Sequence, residues 1–141
     1  MMKILVIDGQ GGGVGKTLIT FIRQSGIAAE LMAAGTNAIA TSNMMKAGAD
    51  AGASGESAVL YNISCCEKTD VIVGPVGIIL GNALHGEVSP AIASAVSQSP
   101  AMKILVPSNK CSLYMAGVEQ KPLTEYIADA VRKIAELAAG M

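Results

Sequence analysis

Short apolar runs alternate with segments of helical spacing along nearly the whole chain. Lys3-Ile4-Leu5-Val6-Ile7 is a continuous apolar run bounded by a charge and by Asp8-Gly9. A run without polar alternation reads as a strand buried on both faces, as in a parallel sheet. Beyond the adjoining glycines, Val14, Leu18, Phe21 and Ile22 fall at helical spacing, with Gly26 as a stop signal. A second strand is predicted over Ala28 to Ala34 and an Ala/Met-rich helix from about Ala38 to Ala47. Gly48 to Gly55, all small residues except Asp50, reads as a loop. Further strands are predicted over Ser57 to Asn62, Asp70 to Val73 and Lys103 to Val106. Ser89-Pro90 is an N-cap followed by proline at the first helical position, opening a helix to about Ser97. The last helix starts near Pro122, with one apolar stripe through Leu123, Ile127, Ala130, Val131, Ile134 and Leu137.

Strands alternating with helices at these lengths suit βα units. The expected fold is α/β: a single domain over residues 1–141 with a doubly wound, mostly parallel sheet of about five strands. The phrase Met-Lys-Ile-Leu-Val occurs at Met2 and again at Met102, but the residues after each copy differ, so it marks two similar strand starts. Each predicted strand ends in turn or polar residues: Asp8-Gly9-Gln10, Gly35-Thr36-Asn37, Tyr61-Asn62, Gly74-Pro75 and Pro107-Ser108-Asn109-Lys110. In a parallel sheet these ends share one edge, where ligands of open α/β folds bind.

Composition narrows the functional classes. Hydrophobic residues make up 51% of the 141 and charged ones 15%, a low share that predicts apolar surface buried in a homodimer. With ten basic and eleven acidic side chains and a net charge of −1, no basic stripe points to nucleic acid. The longest apolar stretch, Val71 to Leu84, is cut by Gly74, Pro75, Gly77 and Gly81, so no membrane span is expected. The four apolar residues before Asp8 are too few for a signal-peptide core, and a cytoplasmic location is expected. Cys65, Cys66 and Cys111 show no zinc-ligand spacing and read as thiols in a reducing compartment; no metal site is expected.

The strongest chemical signal is Gly9-Gln10-Gly11-Gly12-Gly13-Val14-Gly15-Lys16-Thr17. Five glycines in seven positions, between a strand and a helix, let backbone approach a ligand at a helix N-terminus suited to anions. The dinucleotide fingerprint GxGxxG fails, ending on Val14 from Gly9 and on Lys16 from Gly11. The spacing GxxxGxG fits Gly9, Gly13 and Gly15 and resembles the cofactor loop of short-chain dehydrogenases. Their Tyr-x-x-x-Lys pair is missing, because Cys65, Val118 and Ala130 stand four residues after the three tyrosines. Gly15-Lys16-Thr17 fits the end of a phosphate-binding loop GxxxxGK[ST], with Gln10 in place of its first glycine. The same stretch resembles the deviant loop of ParA/MinD-type ATPases, whose signature lysine is Gly11 here. Neither Asp8 nor Asp70 stands well for a magnesium-holding aspartate.

Thr36-Asn37 at the end of the second strand offers neutral hydrogen-bonding groups where an NAD site usually carries an acid. Such groups suit a 2′-phosphate, or a site that holds no adenosine ribose at all; NADP(H) ranks first as cofactor and ATP second. Thr36, Asn37, Thr41, Ser42 and Asn43 serve either a ligand or the capping of the second helix. His85, the sole histidine, is either a general base or a polar residue at a helix end. Cys111, after Lys110, is either a nucleophile or inert.

Ile7 to Lys16, Gly35-Thr-Asn-Ala-Ile-Ala-Thr-Ser42, Lys46-Ala-Gly-Ala49 and Gly86-Glu-Val-Ser-Pro90 together resemble a small family of bacterial proteins classed as a domain of unknown function. The similarity covers nearly the whole chain. It implies a Rossmann-like fold and brings no activity or catalytic residue. The expected function is binding of a phosphate-bearing small molecule, a nucleotide or dinucleotide, through Gly9 to Thr17 with Thr36 and Asn37. The alternatives are a P-loop-like phosphohydrolase or kinase relative using Lys16 and Thr17, and a non-catalytic regulatory or partner-binding subunit.

Overall fold

Five strands and five helices succeed one another in the computed structural model, which describes residues 1–108 and 113–141. The order is β1 (Met2–Asp8), α1 (Gly13–Ser25), β2 (Ala29–Gly35), α2 (Ala38–Ala47), β3 (Ala51–Ser54), α3 (Glu56–Ser64), β4 (Val71–Pro75), α4 (Pro90–Gln98), β5 (Met102–Val106) and α5 (Leu123–Ala139). A 3-10 turn, Val76–Ile79, comes directly after β4.

The strands form one parallel sheet in the order β3-β2-β1-β4-β5. β1 lies in the middle, and its unbroken apolar run is explained by cover on both sides. Ile4 and Val6 pack with Leu18, Ile22, Ile127 and Ile134 of α1 and α5. Leu5 and Ile7 pack with Val59, Ile63, Ile92 and Val96 of α3 and α4. Met44 of α2 belongs to the first layer. The sheet is therefore doubly wound and Rossmann-like. Its order matches the first five strands of the dinucleotide-binding arrangement, with the reversal between β1 and β4.

Local signals account for most elements. Ser89 accepts from Ile92 N at 3.2 Å and Pro90 opens α4, as its sequence predicts. Asn37 caps α2, accepting from Ala40 N at 2.8 Å. Ile127, Ala130, Val131 and Ile134 form the buried stripe of α5.

The third strand is not where the sequence pattern places it. Ser57 to Asn62 lies within α3, and β3 sits inside the segment Gly48 to Gly55 that reads as a loop. Val59 and Ile63, four residues apart, are buried, while Tyr61 between them is 67% exposed. A half-buried strand would have hidden all three. Asn62 consequently bonds Ala58 O within the helix and leaves the strand-end edge. Asn109 and Lys110, also expected at that edge, lie outside the described residues.

Candidate functional site

The site begins with Asp8, the last residue of β1, which is almost wholly buried. Its Oδ1 accepts from Gly9 N at 2.8 Å and its Oδ2 from Gly15 N at 2.7 Å. One carboxylate thus clamps both ends of the glycine loop, and it takes up one of the amides at the start of α1 that the helix cannot satisfy.

The five glycines separate into two groups. A Cβ on Gly9 would sit 2.6 Å from Thr36 Oγ1 and 2.8 Å from Glu87 Oε1. One on Gly12 would sit 2.8 Å from Ala40 O, and Gly12 also has φ of 71°. One on Gly15 would sit 2.5 Å from Met44 Sδ. These three glycines are required by packing. A Cβ on Gly11 or Gly13 would meet nothing within 4 Å, and neither has a positive φ. Among the described residues, nothing accepts from the N–H groups of Gly11, Gly13 or Val14. The fold does not explain Gly11 and Gly13.

These residues border a cleft of about 480 Å³ over the ends of β1, β4 and β5. Pro75, Leu84, Pro107, Ser108, Lys121 and Tyr126 form its other walls. Tyr126 Oη accepts from Lys121 N at 2.9 Å and donates to Glu119 O, which fixes the entry to α5 beside the cleft. Lys121 is the one cation among the described residues that line it.

The sequence-selected residues divide accordingly. Gly9 to Val14 line the cleft. Gly15 is buried beneath it. Lys16 and Thr17 do not line it, and Thr17 Oγ1 donates to Gly13 O at 2.9 Å. Asp70 lies at the opposite edge of the sheet, before β4, where it accepts from Lys3 N and Glu67 N. Thr36 and Asn37 sit on the β2 side of the loop and are engaged by the protein.

Their partner is Glu87, which sequence reasoning does not single out. Glu87 Oε1 accepts from Gln10 N at 2.8 Å, Thr36 Oγ1 at 2.6 Å and Asn37 Nδ2 at 2.9 Å. Asn37 Nδ2 also donates to Gln10 O at 2.9 Å. The Thr36 hydroxyl bond holds the Glu87 carboxyl below its usual range against partial burial, helped by Gln10 N–H, the Asn37 amide and nearby His85. The end of β2, expected to be neutral, therefore carries a carboxylate. It comes from the β4–α4 connection, through a turn in which Asn82, Leu84, His85 and Gly86 all have positive φ. Left-handed backbone costs a non-glycine residue about 1 kcal/mol. The turn is fixed by Asn82 N to Val88 O at 2.6 Å, Gly86 N to Asn82 O at 3.1 Å and Val88 N to Ala83 O at 3.1 Å. No periodicity or motif marks such a turn. The one signal in the sequence is the acid within Gly86-Glu87, just ahead of the Ser89-Pro90 helix start.

His85 is exposed on this turn. Cys66 is buried, and burial pushes its thiol up to about 11. Cys111 lies outside the described residues.

Fold and loop together define a Rossmann-like α/β protein with a glycine loop at the switch point of its sheet. Residues 3–139 match the family model described as a domain of unknown function (DUF3842), and the chain belongs to that family. No curated protein and no solved structure matches it. No helix among the described residues is long and apolar enough to cross a membrane.

Proposed function

We propose that this protein binds a nucleotide or dinucleotide, with a phosphate on the amides of Gly11, Gly13 and Val14. The observation that carries the reading is that Gly11 and Gly13 bear no side chain although the fold leaves room for one. Glycine there keeps the backbone accessible from the cleft, where amides that no described residue accepts from and the positive end of α1 favour an anion. The strand order and the cleft's place beside the β1–β4 reversal support a dinucleotide mode. ATP chemistry of the P-loop kind is less well supported. The Thr17 hydroxyl is held by Gly13 O, and Asp70 is at the far edge of the sheet.

Thermal shift against NAD(H), NADP(H), ATP, GTP, FAD and coenzyme A tests the reading. A ligand at a hundred times its Kd adds about 2.7 kcal/mol, a rise of several degrees. Gly11→Ala and Gly13→Ala should remove that rise without lowering the ligand-free Tm. No stabilisation by any of the six at millimolar concentration would overturn the reading. So would stabilisation indifferent to both substitutions.

Self-association is part of the same proposal. β5 is an edge strand whose Met102 is 45% exposed and whose Ile104 and Leu105 are half-buried. An edge of this kind favours pairing with a second copy. Sedimentation at rising concentration should report a dimer.

A further inference from the structure

We propose that Glu87 reads the ribose of the bound nucleotide and selects free 2′,3′-hydroxyls over a 2′-phosphate, so that NAD(H) is preferred to NADP(H). The inference rests on the nucleotide reading above and adds the ligand class. In folds with this strand order the ribose lies beside the end of the second strand, where an acid accepts its hydroxyls. The second strand here ends in Gly35-Thr36-Asn37 and has no acid of its own there. The carboxylate of Glu87 takes that place from 50 residues further along the chain.

Three features fit it to the task. Its Oε1 is held by three donors from the glycine loop and the β2 end, so its position is fixed relative to the phosphate site. Its Oε2 receives no hydrogen bond from the described residues, leaving acceptor capacity for hydroxyl donors. No lysine or arginine among the described residues bonds Thr36, Asn37 or Glu87, and His85 is the basic side chain that acts on the Glu87 charge. A 2′-phosphate would instead face a carboxylate that these same bonds keep ionised. The left-handed turn through Leu84 and His85 points the same way. Strained backbone persists where its surroundings enforce it, and here it brings Glu87 to the loop.

Calorimetric titration of the full chain with NAD(H) and NADP(H) decides the matter, run on the wild type and on Glu87→Gln. The wild type should bind NAD(H) at least tenfold more tightly. Glutamine keeps an oxygen for the three donors, and the variant should bring the ratio near one by gaining affinity for NADP(H). A wild type that binds NADP(H) as tightly as NAD(H) overturns the proposal even if the variant does not fold. A ratio unchanged in a folded Glu87→Gln overturns it as well. Inorganic pyrophosphate separates the ribose assignment from the phosphate site. Pyrophosphate binding that Gly13→Ala weakens, with neither dinucleotide bound, overturns the ribose assignment and supports the loop. Binding of neither pyrophosphate nor any nucleotide overturns both.

Discussion

The carboxylate of Glu87 accepts the backbone N–H of Gln10 at 2.8 Å, joining the β4–α4 connection to the glycine loop across 77 residues. This bond and those from Thr36 and Asn37 make the loop's shape depend on an acid far away in sequence. They favour the charged carboxyl, so its folded pKa lies below the unfolded value of 4.5. In that window the unfolded chain binds more protons, and stability rises with pH. The contribution is present above the unfolded pKa and is lost as pH falls through the folded one. Urea unfolding from about pH 5 to about pH 3 should show a steeper loss for the wild type than for Glu87→Gln. Equal slopes would mean that Glu87 titrates alike in both states. At neutral pH Glu87→Ala should cost about 2 kcal/mol, because three donors lose a charged acceptor.

The glycines of the loop predict opposite responses to the same change. Gly12→Ala forces a Cβ against Ala40 O at positive φ, and should cost about 2 kcal/mol or more. Gly13→Ala meets open space at the first helical position, and should be neutral or stabilising by up to about 1 kcal/mol. Urea midpoints of the two variants test this directly. Equal destabilisation would show that Gly13 is also required by the fold.

Cys66 should behave as a core residue. Its Sγ donates to Asn62 O at 3.5 Å, and burial, with the Asp70 charge, pushes its thiol up to about 11. At pH 8 the group is held in its thiol form, whereas the thiolate is the reactive one. Labelling followed by peptide mapping should modify half-buried Cys65 before Cys66, and reach Cys66 only as the protein unfolds. Prompt labelling of Cys66 in the native protein would contradict its burial.

The elements legible in the sequence are those whose burial repeats strongly. β1 is covered on both faces and reads as an unbroken apolar run, and α5 carries its buried stripe over 17 residues. The glycine loop is visible in the sequence, but not the division within it. Which glycines are forced depends on Met44, Ala40 and Thr36, which belong to the next βα unit. α3 misleads because Val59, Leu60, Tyr61 and Ile63 include an alternating set that looks like a strand. β3 is hidden because it has almost no apolar surface to show. Its small residues answer to α2: a Cβ on Gly52 would lie 2.9 Å from both Met45 Sδ and Thr41 Cγ2. Glu87 is hidden for a third reason, since its position depends on a turn that obeys no period.

β3 also supplies a prediction about its own existence as a strand. Its start is pinned twice to Leu31 of β2: Asp50 N donates to Leu31 O at 2.9 Å, and Leu31 N donates to Asp50 Oδ2 at 2.8 Å. Asp50 Oδ1 also pairs with Arg23 at 2.9 Å, and Arg23 Nε donates to Gly48 O at 2.9 Å, tying the same corner to α1. The Leu31 N–H bond is the main reason the Asp50 carboxyl lies below its usual range, with Arg23 adding to it. The ion pair is exposed and worth little, so the backbone bond should dominate. Asp50→Ala should therefore lower stability by about 1 kcal/mol. Asp50→Asn, which keeps an acceptor oxygen for Leu31 N–H, should lose less. Hydrogen exchange at the amides of Ala51 to Ser54 should accelerate in Asp50→Ala more than exchange in β1. Raising the salt concentration should do little to the wild type if the backbone bond is what holds the corner. Unchanged exchange across Ala51 to Ser54 in Asp50→Ala would mean that pairing with β2 holds this edge strand unaided.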